Sequence, residues 1–140
     1  MSRTLPFRKL THAVALEMLQ AAIVKSEAMG VPVAISIVDD GARMLAFVRM
    51  DGARVLAQES CTAKAMTAAN HRMPTERIDY EVGMGLAVST QGKVTPLRGG
   101  LPIILDSYCV GGIGCGSGTG EEDREIALAA LAAVGAELPD

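Results

Sequence analysis

Lys64, His71 and the run Arg98-Gly99-Gly100 are the residues whose types could do chemistry on a small anionic molecule. Lys64 is a cation set among Ala, Thr and Met in a helix-forming stretch, so its ammonium either snorkels to water or is aimed into a pocket. Arg98 precedes two glycines, and a guanidinium beside exposed backbone N–H groups suits a carboxylate. The only histidines are His12 and His71, so proton shuttling or axial ligation of a haem iron would fall to one of them. Asp39-Asp40 and Asp51 sit in turn sequences, where an aspartate first serves its own backbone.

Other chemistries are disfavoured by spacing. A catalytic triad cannot be read from sequence order alone. Cys61, Cys109 and Cys115 are odd in number and lack C-x-x-C spacing, which suits reduced thiols and supports neither a disulfide frame nor zinc. Six of the ten residues from Gly111 to Gly120 are glycine, yet no G-x-G-x-x-G register fits and no Gly-Lys-Ser/Thr follows. Glu121, Glu122 and Asp123 would also repel a pyrophosphate from the helix start beyond. The net charge is −3, with 13 dispersed basic residues, two Phe, two Tyr and no Trp, a composition that disfavours nucleic acid. No apolar run approaches a membrane span. The first residues show no secretory signal, so a cytoplasmic location is expected.

The elements that must position these residues fit one domain over residues 1–140, with a core from about 10 to 136. Leu10–Met29 reads as a helix capped by Thr11, with Leu16, Leu19 and Ile23 at helical spacing and Gly30 as its stop. Val33–Asp40 and Arg43–Gly52 form a hairpin, and Val55–Asn70 an Ala-rich second helix. A short helix then a loop is expected within Glu76–Gly92, and a short strand over Val94–Leu97. Leu101–Asp106 and Tyr108–Cys115 make a second hairpin about Asp106-Ser107. Glu121–Ala136 is the last helix, with Thr119 and Glu122 at capping-box spacing. The order α-β-β-α-(α)-β-β-β-α predicts an α/β protein of α+β order, a central antiparallel sheet flanked by helices. The methionines are expected as core or interface filler.

Four stretches taken together carry a resemblance: LTHAVALEMLQAA, VAISIVDDGARMLAFVRMDGA, AKAMTAANHRMPT and RGGLPIILDSYCVGGIGCGSGTGEEDREIA. In this combination the chain resembles the GlcG/HbpS-like family of haem-degrading or haem-binding domains, found also as the C-terminal part of PduO-type proteins. It differs where Gly41 is followed by Ala42 and Arg43, where His71 replaces an aromatic or apolar residue, and where Cys109 and Cys115 replace Val.

The resemblance implies a compact unit with a central antiparallel sheet, assembled as an octamer or smaller ring. It also implies haem as the cofactor to consider. The leading reading is a small-ligand-binding homo-oligomer holding haem or a small carboxylate near Lys64, His71, Arg98, Gly99 and Gly100, with His12 or His71 as axial ligand. Its rival is an isomerase or lyase acting on an oxo- or hydroxy-acid, with Lys64 or His71 as base and Arg98 as anion clamp. A structural ring serving as a partner platform is the third.

Overall fold

The computed structural model describes residues Met1–Asp140. Helix α1 (His12–Met29) is capped by the Thr11 hydroxyl, which accepts from Val14 N–H, and ends at Gly30 in the left-handed conformation. Strands β1 (Ala34–Asp39) and β2 (Met44–Arg49) form the first hairpin, followed by helix α2 (Ala57–His71). A short 3-10 turn at Thr75–Arg77 leads to α3 (Tyr80–Ser89). Strands β3 (Gly100–Leu105) and β4 (Tyr108–Gly116) form the second hairpin, and α4 (Gly120–Ala133) closes the chain. The sheet has four strands in the order β2-β1-β4-β3, every neighbour antiparallel.

The strand expected at Val94–Leu97 is not formed. Thr90 and Thr67 explain why: the Thr90 hydroxyl accepts from Val94 N–H and the Thr67 hydroxyl from Thr95 N–H, so side chains satisfy a backbone that a ladder would otherwise pair. Pro96 beside it has no N–H to give. The segment from Glu76 is also more helical than expected, because the Asp79 carboxylate caps α3 through Val82 N–H.

The molecule has three layers. On one face α1 and α4 pack against the sheet around Met18, Ile35, Ile37, Leu101, Ile103, Ile113, Ile126 and Leu131, all fully buried. The stripe that α1 buries runs through Ala15, Met18, Ala22 and Ser26, so Leu19 and Ile23 are its flanks and Leu16 is exposed.

The opposite face carries α2 alone, and here the glycines of β4 find their reason. A Cβ at Gly112 would fall on the Ala65 carbonyl and one at Gly114 on the Cys61 carbonyl, while Gly100 faces the Lys64 carbonyl. The α2 backbone therefore rests directly on the sheet, and apart from Lys64 and Thr67 its own buried side chains are small, among them Ala57, Cys61, Ala65, Ala68 and Ala69. Ile113 and Cys115 alternate to the other face, as a strand's period of two requires.

Both hairpin tips gather at one end of the sheet. The Asp39 carboxylate accepts from Gly41 and Arg43 N–H and so ties the first turn. Asp106 and Ser107 both have positive φ, 50° and 69°, as a two-residue hairpin turn matched to strand twist requires. Because β1 and β4 pair with Asp39 opposite Gly111, these tips lie side by side, and α2 ends next to them.

Candidate functional site

Lys64 leaves α2 and reaches past the edge of the sheet to α4. Its Nζ donates to Asp123 Oδ2 at 2.9 Å and to the Cys115 carbonyl at 2.8 Å, with both side chains almost wholly enclosed. Gly99 makes the passage possible: at φ 122°, a Cβ there would stand 3.0 Å from Lys64 Nζ and 2.8 Å from Asp123 Cβ. The other Asp123 oxygen accepts from Gly118 N–H at 3.0 Å. Burial pushes the Asp123 carboxyl up, against the opposing pull of the Lys64 charge and hydrogen bond and of Gly118 N–H. Desolvation therefore outweighs what the partners return, as is common for enclosed ion pairs.

The residues singled out from sequence are thus divided by the fold. Lys64, Gly99 and Gly100 meet at one buried point. The Arg98 guanidinium turns outward to Glu76 at 3.9 Å and Glu121 at 3.7 Å, while its stem covers Gly120. His71 is at the end of α2, seven residues from Lys64 and so about 10 Å along the helix axis. Its Nδ1 lies 3.3 Å from Asn70 Nδ2 and 3.3 Å from the Thr67 carbonyl. His12 is exposed at the first turn of α1. None of these residues lines the clefts at the hairpin tips, beside Gly30 and Gly52, or at the C-terminal end of the chain.

A cleft of about 460 Å³ does open at the hairpin tips, walled by Phe7 and Arg8, Asp40, the end of α2 at Asn70 and Arg72, and Tyr108 and Cys109 of β4. Arg72 is the left-handed C-cap of α2, its N–H donating to the Ala68 carbonyl, and its guanidinium has no carboxylate partner. Arg8 stacks over the Tyr108 ring with its guanidinium carbon 4.5 Å from the centroid. Cys109 is half-buried and its Sγ makes only long contacts, 3.6 Å to the Gly111 carbonyl and 4.0 Å to that of Ala69. Burial raises its thiol above the ordinary value, with Gly111 and the Arg72 charge pulling the other way.

The chain's relatives can now be set beside this geometry. Residues 10–132 match the family described as haem degrading protein HbpS-like. The chain belongs to the HbpS-like family. An uncharacterized 15.0 kDa protein from the dhaT-dhaS intergenic region of Citrobacter freundii is 35% identical over 94% of this chain and 96% of its own length. The corrinoid adenosyltransferase PduO of Salmonella typhimurium is 32% identical over 92% of this chain, which spans 42% of that protein's length. Among solved structures, that of a PduOC:haem complex aligns with a TM-score of 0.85 at 28% identity, covering 95% of this chain and 100% of the other.

Several cleft residues carried no signal in the sequence. Phe7, Arg8, Arg72, Tyr108 and Cys109 come from three distant stretches, brought together by the packing of α2 on β4 and by the stacking of Arg8 on Tyr108. No group of His, Cys, Asp and Glu is arranged to hold a metal ion directly.

Proposed function

We propose that this protein binds haem, or a planar carboxylate of similar character, in the cleft at the hairpin tips. The observation that supports this reading is the meeting of a half-buried thiol, Cys109, with the unpaired guanidinium of Arg72 in one enclosure of about 460 Å³. That volume lies within the range of small-molecule sites, about 300–1,000 Å³. Arg72 and Arg8 supply charge-assisted donors for propionate carboxylates, which leave water only against such partners. Phe7 and Tyr108 supply apolar and aromatic surface. A cysteine thiolate is an established type of donor to haem iron; burial holds Cys109 as the thiol, so the iron would have to displace its proton, with the Arg72 charge favouring that loss. When bound the haem would supply redox and oxygen chemistry that the chain's own side chains lack.

The residues named from sequence act in this proposal at one remove. His71 holds Asn70, which lines the cleft. Lys64, Gly99 and Gly100 fix α2 against β3 and β4, so that Arg72 and Cys109 keep their relation. His12, exposed at the first turn of α1, is not among the residues lining the cleft and has no part in this proposal. Titration with haemin, followed by the Soret band, tests the reading. Saturable one-to-one binding that is weakened by Cys109→Ala and by Arg72→Met supports it, and binding indifferent to both excludes this cleft.

We infer, further, that the protein self-associates. α3 exposes Tyr80, Met84 and Val88, at 65%, 44% and 80%, on one side of the helix. Only Gly83 is buried, against Pro96 and Ile78. An apolar face of this kind on a small domain favours a second copy as its cover.

A further inference from the structure

We propose that residues Leu5–Lys9 are a strap that swings at Leu10 to admit the ligand and is closed by it. This rests on the assignment of the cleft as the ligand site. The observation is a contradiction within the cleft wall: one side of it is built from chain that nothing holds firmly. Every residue from Met1 to Lys9 is exposed, whereas Leu10 is 6% exposed and belongs to the core. No backbone hydrogen bond ties residues 5–9 to the sheet or the helices. The segment is held by side-chain contacts of its two cations. Arg8 stacks on Tyr108 and stands 4.0 Å from Asp106, and Lys9 lies 3.8 Å from Asp39 and 3.5 Å from Asp40. These clips bridge the strap to both hairpin tips; the Arg8 pair is exposed on both sides and Lys9 is exposed in each of its two, so water and salt reach all three and weaken them.

The strap also carries its own closing element. Leu5 and Phe7 line the cleft and yet remain 76% and 72% exposed. An apolar, planar ligand entering from outside would cover both side chains, and that burial favours the closed strap only when the ligand is present. Pro6 between them narrows the conformations the open strap can explore, which lowers the entropic loss on closure. Arg8 joins the two functions, because its guanidinium is both the clip on Tyr108 and a donor facing the cleft.

Trypsin reads the strap directly, since Arg8 and Lys9 are its cleavage points. With haemin as the probe, cutting at Arg8 and Lys9 should slow about tenfold or more, while cutting at the exposed Arg54 and Lys93, remote from the cleft, changes little. In the intact protein, Leu5→Ala/Phe7→Ala should speed haem transfer to an excess of a stronger acceptor by about tenfold or more. Added salt should speed release from the parent chain as well. Unchanged cleavage at Arg8 and Lys9 on haemin binding, or an unchanged release rate in the double variant, overturns the strap while leaving the cleft assignment standing. Failure of the parent chain to take up haemin at all defeats the cleft assignment, and the strap with it.

Discussion

Lys64 and Asp123 set a strict condition at the scale of single residues. Their pair is buried and hydrogen-bonded, and either partner left alone would keep a charge or polar group out of water. Lys64→Met should therefore cost about 3–5 kcal/mol of stability, and Lys64→Met/Asp123→Leu markedly less than the sum of the two single changes. Urea midpoints of the three variants check this, and additive losses would show that the pair is not coupled. The thiols make a second statement. Burial pushes Cys61 up to about 11 from an ordinary 9.0 and raises Cys115 as well. Between those pH values the folded chain keeps a proton on Cys61 that the unfolded chain has released, so stability falls as pH rises. Cys61 alone contributes about 2–3 kcal/mol to that fall. Unfolding midpoints measured from pH 8.5 to 10.5 should drop, and the drop should be shallower in Cys61→Ala.

At the scale of elements, the glycines of β4 and the cap of α4 are the features on which the layers depend. Gly114→Ala would press a methyl group into the Cys61 carbonyl and should destabilise by at least about 1–3 kcal/mol, since neither backbone can withdraw. Thr119 and Glu122 form the full capping box, with Thr119 N–H donating to Glu122 Oε1 at 2.8 Å and Glu122 N–H to Thr119 Oγ1 at 3.2 Å. Thr119→Ala should cost about 0.5–2 kcal/mol, read as a lowered denaturation midpoint. The cap was legible in the sequence because its signal is local, a fixed spacing of three residues. Both hairpins and the helix stop at Gly30 were legible for the same reason. The segment around Val94 was not, because Thr67, remote in sequence, supplies the hydrogen bond that keeps Thr95 out of a ladder. The buried stripe of α1 was not legible, because helical spacing alone does not show which side of a helix the core covers.

For the whole molecule, the same division between local and assembled information governs the site. Lys64 stood out in sequence as a cation in apolar surroundings, and the fold does bury it, but against Asp123, 23 residues beyond Gly100, and not in an open pocket. Arg8, Arg72 and Cys109 lie in three stretches with no shared motif, so their convergence is a property of tertiary packing, α2 on β4 and Arg8 on Tyr108. Assembly belongs to this scale too. If α3 is covered by a second copy, light scattering at micromolar concentration should give a mass above the 14.6 kDa of one chain, and Tyr80→Asp/Val88→Asp should lower it. A monomer mass for the parent chain would contradict that assignment.

The measurement that bears most directly on the account is haemin titration of the parent chain beside Arg72→Met and Cys109→Ala, with the fold of each monitored by circular dichroism. The cleft assignment predicts a saturable Soret band for the parent. Arg72→Met should weaken binding about tenfold or more through the lost charged hydrogen bond. Cys109→Ala should change the band's position or remove it, because the sulfur would no longer be available to the iron. Folded variants that bind haemin as the parent does, with the same spectrum, would contradict the account.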